Sequence, residues 1–172
     1  MKILITGGLG YLSSSLAHYC SSKKYETVVC SRKNIFFSIK NKFLSSKIIN
    51  WEIDDELLDL CKDIDVVIHT AGMNSFDCSN DPVQANQCNH LNTKKLAEAA
   101  ASCNVKKFIY ISTIHVYRTP LLGTIDEETE LTNVHPYATS HRLGEEASIA
   151  AAKNSRMKSV IVRLSNVFGI PK

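Results

Sequence analysis

The chain has 172 residues, of which 44% are hydrophobic and 22% are charged, and it carries a net charge of +3. This length and composition are typical of one globular domain with a sizeable core. The basic residues are dispersed, and the densest cluster, around Arg32 and Lys33, is too small to indicate a nucleic-acid-binding protein.

The N-terminus and the cysteines argue against three further classes. Met1 and Lys2 lead directly into an apolar run that is far too short for a secretory signal or a membrane span. The six cysteines form no C-x-x-C pair and lack the spacing of metal ligands. We therefore expect a cytoplasmic protein with free thiols, with no metal site and with neither nucleic acid nor a membrane as partner.

Apolar runs with strand character alternate with helical patterns along the chain. The predicted strands are Lys2–Thr6, Glu26–Ser31, Lys47–Ile53, Asp65–Thr70, Lys107–Ser112 and Ser159–Leu164. The predicted helices are Tyr11–Lys23, Asp55–Cys61, a long helix from Asp81 and Pro82 to about Cys103, and Tyr137–Asn154. The Asn34–Leu44 segment is ambiguous and could form a short helix, and Arg118–His135 is predicted to be a polar loop.

This alternation predicts an α/β fold. We expect a single Rossmann-like domain over residues 1–172, with a doubly wound parallel sheet of about six strands and helices on both faces, in three layers. Right-handed crossovers bring the carboxyl ends of the strands to one edge of the sheet, where such folds bind their ligands.

The turn after the first strand contains three glycines in four residues. Gly7, Gly8 and Gly10 let the backbone turn sharply and approach a pyrophosphate, which N–H groups at the start of the next helix can bind. Ser13 stands where this fingerprint has Gly or Ala, and it is still small enough for the helix to pack on the strand. The sequence therefore predicts a dinucleotide-binding site at Gly7, Gly8, Gly10, Tyr11 and Leu12, and the alternative is a tight turn without a ligand.

The end of the second strand indicates which dinucleotide is bound. An acidic residue there would bond the ribose 2′-hydroxyl of NAD, but this chain has Ser31 and Arg32, with no acid until Glu52. A hydroxyl and a guanidinium can bind a 2′-phosphate, which a carboxylate would repel. We therefore expect NADP(H) in preference to NAD(H), with a solvated Arg32 as the alternative.

Small and polar residues follow the third and fourth strands. Asp54 could accept a hydrogen bond from the adenine amino group, or it could cap the helix that begins near Asp55. Thr70, Ala71 and Gly72 are small, as a backbone close to a cofactor requires.

Five motifs in order carry a family resemblance. They are TGGLGYL at Thr6–Leu12, HTAG at His69–Gly72, STIHVY at Ser112–Tyr117, PYATSH at Pro136–His141 and RLSNVFG at Arg163–Gly169. Together they resemble the extended short-chain dehydrogenase/reductases, specifically the nucleotide-sugar epimerase/dehydratase group, over the whole chain.

The resemblance implies that Thr113 and Tyr137 are catalytic. The family tyrosine acts as general acid/base at a sugar hydroxyl or keto group while a hydride moves to or from the nicotinamide. A phenol has a pKa near 10, so its anion needs a nearby positive charge, which the family lysine four residues later helps to provide. This chain has His141 there, and we expect the substitution to weaken or abolish catalysis; Tyr137 as a packing residue is the alternative.

Further site residues carry over more loosely. The resemblance implies that Ser112 and Asn92 lie at the cofactor and that Asn166 lies at the sugar nucleotide. For Asn92, a position on the helix surface is the alternative.

Extended members of the family are on the order of twice this length, with a C-terminal region that holds the nucleotide sugar. We therefore expect the cofactor domain without that region, as a fragment, a truncated gene product or a stand-alone domain. The family also implies a homodimer through the helices Pro82–Cys103 and Tyr137–Asn154.

Three functions remain open at this point. The first is an NADP(H)-dependent oxidoreductase domain that transfers hydride at a carbon of a nucleotide sugar. The second is a non-catalytic module that binds or senses a dinucleotide, and the third is a degenerate domain that binds nothing.

Overall fold

The computed structural model describes residues 1–8, 10–33 and 41–169. Six parallel strands form one sheet in the order β3-β2-β1-β4-β5-β6. They are β1 (Lys2–Thr6), β2 (Glu26–Ser31), β3 (Leu44–Ile48), β4 (Val66–His69), β5 (Lys107–Thr113) and β6 (Lys158–Leu164). The strand order reverses between β1 and β4, which makes this the topological switch point of the sheet. The predicted α/β class is confirmed.

Helices cover both faces of the sheet. They are α1 (Tyr11–Ser22), α2 (Asp54–Cys61), α3 (Ser75–Asn80), α4 (Pro82–Ala85), a π-helical turn (Asn86–Leu91), α5 (Asn92–Ser102), a 3-10 turn (Ile114–Val116) and α6 (Pro136–Lys153). No helix or strand interrupts residues 118–135, as predicted for this polar loop.

The core has two parts, one on each face of the sheet. Leu4, Val67 and Phe108 pack with residues of α2 and α5 on one face. Ile3 and Ile5 pack with residues of α1 on the other. Val160 on β6 lies on the α1 face, in register with Ile109, and is 38% exposed.

The predicted third strand, Lys47–Ile53, was wrong. The strand is Leu44–Ile48, at the edge of the sheet, where its serines and Lys47 face solvent. An edge strand buries little of its side-chain surface, so its sequence, LSSKI, can be mostly polar and lacks the apolar run that predicts a strand. Of the ambiguous segment, residues 34–40 lie outside the described residues.

The predicted long helix from Asp81 is interrupted by the π-helical turn, and α3 precedes it. Helices α3 and α4 each have a side-chain N-cap: Asn74 accepts from the Asp77 N–H and Asp81 from the Gln84 N–H, both at 2.9 Å. The first cap begins α3, which precedes the predicted helix, and the second begins α4 where that helix was predicted to start.

None of the helices in the described ranges combines the length and apolarity needed to cross a membrane. The six cysteines are free thiols, and four of them are buried. Within 1–8, 10–33 and 41–169, no group of three potential ligands could hold a metal ion.

Candidate functional site

The glycine turn lies at the switch point, pressed against the end of β4. Gly7 has a φ of +76°, and a Cβ atom there would lie 2.8 Å from Thr70 Oγ1 and 3.0 Å from the Ala71 nitrogen. Only glycine can adopt this conformation and allow this approach without strain. The predicted cofactor residues of the turn and of Thr70–Gly72 therefore lie side by side.

The start of α1 has the donors that a diphosphate requires. Gly10 is the N-cap and provides no side chain to bond the first N–H groups of the helix. Ser13 is fully buried, and its hydroxyl contacts the carbonyl oxygens of Gly7 and, at 3.0 Å, Gly10. It thereby braces the turn, so serine at this position suits a phosphate-binding loop. The N–H groups of the first turn, which includes Tyr11 and Leu12, fit the pyrophosphate of a dinucleotide.

A buried polar chain beneath the turn was not anticipated. Thr6 Oγ1 accepts from the Thr70 and Ala71 N–H groups at 3.1 Å, so its own proton goes to His69 Nδ1, 2.7 Å away. His69 Nε2 then donates to Thr93 Oγ1 at 2.9 Å. Burial lowers the pKa of His69 to about 3, which keeps the ring neutral. A histidine inside the apolar run VVIH was the available signal.

A cavity of about 360 Å³ lies beyond the carboxyl ends of β4, β5 and β6. The three predicted catalytic residues, Thr113, Tyr137 and His141, all line it. So do Ser112 and Asn166, which lie toward the β6 side. The fold therefore brings together residues of this set that are up to 54 positions apart (Ser112 to Asn166).

The Tyr137 phenol is protonated at neutral pH. Burial raises its pKa, and the hydrogen bond with the Thr113 side chain acts in the opposite direction. Pro136 and the His135 side chain, which accepts from the Tyr137 N–H at 3.2 Å, begin α6 here. The tyrosine thus occupies the first turn of a helix whose start is fixed by its capping residue.

His141 lies one helical turn after Tyr137, with the two ring centroids 4.6 Å apart. Its Nδ1 lies 2.8 Å from the Tyr110 hydroxyl. Burial lowers the pKa of His141 to about 4, so the ring carries no charge at pH 7. The neighbouring Arg142 donates to the Leu131 carbonyl at 2.9 Å, in the polar loop. A neutral histidine provides less positive charge to Tyr137 than the family lysine would, as expected from the sequence.

The asparagine that supports the wall of the cleft is Asn89, which bonds Met73 and which sequence reasoning missed. Asn89 is fully buried; its Oδ1 accepts from the Met73 N–H at 2.7 Å and its Nδ2 donates to Ser140 Oγ at 3.1 Å. The side chain of Asn92 instead accepts from Gln87 Nε2 at 3.0 Å. The π-helical turn rotates Asn92 away from the face it would share with Asn89 on a regular helix.

Ser112 belongs to a buried polar group behind the cavity. Its hydroxyl donates to Glu145 Oε1 at 2.5 Å, and Arg163 pairs with the same carboxylate at 2.7 Å. Arg163 also donates to the Tyr117 hydroxyl at 2.8 Å. Glu145 raises the pKa of Arg163, chiefly through this hydrogen bonding, so the arginine remains charged. The contacts of Ser112 give it a role in joining β5 to α6.

A second cavity, of about 470 Å³, extends from Gly72 to Arg32. Arg32 is exposed at the end of β2, and the Ser31 hydroxyl accepts from the Lys33 N–H at 3.3 Å. Asp77 and Asp81 line the same cavity from the α3 side. Of the two predicted selectivity residues, Arg32 therefore lines this cavity, opposite two carboxylates, and Ser31 is not among its lining residues.

Asp54 lines neither of these cavities. It is the first residue of α2, and its Oδ1 pairs with Lys95 on α5 at 3.0 Å. The cap residue is Ile53, without a side-chain hydrogen bond, so the structure contradicts the capping alternative for Asp54.

The sequence profile described as the NAD dependent epimerase/dehydratase family matches residues 3–171. A dTDP-D-glucose 4,6-dehydratase of Dictyostelium discoideum is 30% identical over 98% of this chain and 44% of its own length. A putative UDP-glucose 4-epimerase of Methanocaldococcus jannaschii is 28% identical over 97% of this chain and 56% of its own. The chain therefore spans about half the length of these curated relatives.

Solved structures of nucleotide-sugar epimerases are also similar to this chain. UDP-glucuronic acid 4-epimerase from Bacillus cereus, in complex with UDP-glucuronic acid and NAD, has a TM-score of 0.82 at 27% identity and covers 95% of this chain and 56% of its own. UDP-glucose 4-epimerase from Thermotoga maritima, with UDP-glucose, has a TM-score of 0.88 at 20% identity. This match covers 99% of our chain and 57% of the epimerase chain. The second likeness supports the fold alone.

Proposed function

The chain belongs to the NAD-dependent epimerase/dehydratase family, and we propose that it is the NADP(H)-binding oxidoreductase domain of a nucleotide-sugar enzyme, with Tyr137 as its acid/base. One observation carries this proposal: Thr113, Tyr137 and His141 line one cavity that adjoins the glycine turn. A phenol beside a hydroxyl, next to a dinucleotide site, is the arrangement that hydride transfer at a sugar carbon requires.

The protein groups have distinct roles in this proposal. A bound nicotinamide would supply the hydride donor or acceptor. Tyr137 moves the proton: its phenol donates to a keto oxygen, or its phenolate accepts from a hydroxyl. Thr113, hydrogen-bonded to the phenol, holds the same sugar oxygen. His141, neutral, offers its ring to a ribose hydroxyl, and Asn166 lies on the side open to the sugar nucleotide.

The cofactor preference is supported by charge. Ser31 and Arg32 occupy the end of β2, where a 2′-phosphate would lie, and no carboxylate stands at these two positions. Asp77 and Asp81, across the cavity, oppose an anion there. We expect Arg32 to prevail because a guanidinium can bind phosphate oxygens directly and with two hydrogen bonds.

A second function is favoured by His141. Without a cation beside Tyr137, the chain would bind a dinucleotide and turn over slowly or not at all. It would then act as a dinucleotide-binding or sensing module.

Exposed apolar side chains support a homodimer through the helices α4–α5 and α6. Val83 is 81% exposed and Ile149 is 52% exposed. The free thiols are consistent with a reducing cytoplasm, which we propose as the location.

The test is a titration of the chain with NADPH and NADH, followed by turnover assays with dTDP-linked and UDP-linked sugars. Tighter binding of NADPH with measurable hydride transfer is expected. Dinucleotide binding without turnover, for the chain and for its His141→Lys variant, would select the module. Failure to bind either dinucleotide would overturn both functions and support a degenerate domain.

A further inference from the structure

The two nitrogens of His141 have different surroundings. Nδ1 lies 2.8 Å from the Tyr110 hydroxyl, inside the core between β5 and α6. The Cε1–Nε2 edge of the ring lies toward the cleft: a Cβ atom on Gly72 would lie 3.7 Å from His141 Cε1 and 3.9 Å from Nε2. Because Gly72 lines both cavities, Nε2 is the ring nitrogen nearest to a ligand.

Tyr110 is held firmly in place. It is 1% exposed, and its ring stacks between the rings of His69 and His141, at centroid distances of 5.5 and 5.8 Å. Its hydroxyl also lies 3.2 Å from the Asn89 carbonyl oxygen, which already accepts from Thr93 Oγ1 at 2.8 Å. Burial raises the pKa of the phenol, so it remains a neutral hydroxyl with one proton.

Gly144 makes this contact possible. A Cβ atom there would lie 2.8 Å from the Tyr110 hydroxyl and 2.4 Å from the Asn89 carbonyl oxygen. Glycine therefore lets α6 approach β5 closely enough for His141 to reach Tyr110. The pair is a product of the packing of these two elements.

We propose that Tyr110 is a positioning residue for His141 and that the pair forms an uncharged ribose anchor, an inference that rests on the proposed dinucleotide site. By occupying Nδ1, Tyr110 leaves Nε2 as the nitrogen available to a ligand hydroxyl. If Tyr110 donates to Nδ1, Nε2 carries the proton and donates; if Tyr110 accepts, Nε2 is an acceptor. A ribose hydroxyl can satisfy either form, so the anchor needs no charge.

This anchor has a specific energetic signature. Loss of the Tyr110 hydroxyl should free the ring of His141 and weaken dinucleotide binding by about threefold to tenfold, the range for one lost hydrogen bond. Because the anchor is neutral, the pKa of Tyr137 should hardly change. The effect should require His141.

A double-mutant cycle tests this requirement. Tyr110→Phe is measured alone and in a His141→Ala background, with the dissociation constant of NADPH as the readout. We expect the weakening with His141 present and no further weakening once His141 is alanine. Equal effects in the two backgrounds would identify Tyr110 as merely structural and overturn the proposal. Tyr117→Phe is the matched control, because Tyr117 is 4% exposed and its hydroxyl bonds Arg163.

A second readout needs no dinucleotide. Nitrogen NMR of the His141 ring in the unmutated chain should show a single neutral tautomer near neutral pH. Tyr110→Phe should convert it to a mixture of tautomers, and Tyr117→Phe should leave it unchanged. A mixture in the unmutated chain, or a ring insensitive to Tyr110→Phe, would overturn the positioning role even if a variant folds poorly. A responsive ring in a chain that binds no dinucleotide would overturn the ribose anchor together with the proposed function, and only the Tyr110–His141 contact would remain.

Discussion

The imidazole of His141 stands edge-on to the phenol of Tyr137, with ring centroids 4.6 Å apart. At this distance a positive charge would favour the phenolate strongly, but burial lowers the pKa of His141 to about 4 and leaves the ring neutral. The pKa of Tyr137 is itself raised by burial. Both shifts disfavour the charged forms, so the reactive phenolate is scarce at pH 7.

Replacing His141 with lysine should increase turnover. A lysine ammonium would bring charge to the phenol, and each unit by which it lowers the Tyr137 pKa increases the phenolate fraction about tenfold below that pKa. The measurement is the pH profile of hydride transfer: the rise in rate with pH, which follows deprotonation of Tyr137, should move to lower pH. His141→Gln is the neutral control and should not move it. An unchanged rate in His141→Lys would mean that histidine is a working substitute.

The Ser31→Asp/Arg32→Ala double variant should shift the cofactor preference from NADP(H) to NAD(H). The aspartate can bond a ribose 2′-hydroxyl and repels a 2′-phosphate, and the guanidinium that would bind the phosphate is gone. The measurement is the ratio of the dissociation constants of NADPH and NADH, which we expect to change by about tenfold or more. Lys33→Ala, at the exposed neighbouring cation, should change the ratio little. No change in the double variant would contradict the assignment.

Stability should fall as the pH drops below about 6.5, the ordinary histidine pKa. The pKa values of His69 and His141 are lowered by burial to about 3 and about 4. Their contribution is therefore complete above the unfolded-state pKa and is lost as the pH falls toward the folded-state values. Each should contribute a slope of about 1.4 kcal/mol per pH unit between roughly pH 6 and 5.

Urea unfolding at a series of pH values measures this slope. His141→Gln should reduce the slope by the contribution of one histidine, about 1.4 kcal/mol per pH unit. His18→Asn, at an exposed position on α1, should leave the slope unchanged. A slope unaffected by His141→Gln would show that this ring is not neutral in the folded protein.

Gly144→Ala should destabilise the fold by about 3 kcal/mol, the upper end for overpacking of a core. The new methyl group would meet the Asn89 carbonyl oxygen at 2.4 Å and the Tyr110 hydroxyl at 2.8 Å. The free energy of unfolding in urea measures the effect. Gly123→Ala is the comparison, because Gly123 has a φ of +76° but nothing within 4 Å of its added Cβ. A similar, small loss in both variants would mean that α6 can shift to make room.

Glu145→Gln should cost about 3 kcal/mol, because it breaks a buried ion pair and leaves the charge of Arg163 uncompensated. Glu145 is 3% exposed and accepts from Ser112 and Arg163. Adding Arg163→Met should recover part of the loss in urea unfolding. Asp59→Asn, which removes an exposed partner of Lys62, should have little effect. Failure of Arg163→Met to recover any stability would argue against an uncompensated charge as the cause.

Local chemistry predicted much of this chain. Gly7 follows a short apolar strand and precedes a helix, and this order predicts a phosphate-binding turn because backbone conformation depends on neighbouring residues. The spacing of Tyr137 and His141 likewise predicts that they share a helix face. Both predictions concern contacts within a few residues, for which periodicity and residue type are sufficient.

Contacts across the fold were beyond such reasoning. Asn89 rather than Asn92 bonds Met73 at the wall of the cleft because a π-helical turn alters the helical phase. Tyr110 reaches His141 because Gly144 lets two elements approach. The edge strand Leu44–Ile48 was missed for a related reason, since its pairing rather than its composition makes it a strand. The residue types in the chain therefore established the α/β class and the nucleotide-binding turn. The packing of β5 against α6 established the neutral state of His141, because burial, which excludes water from the ring, exists only in the folded protein.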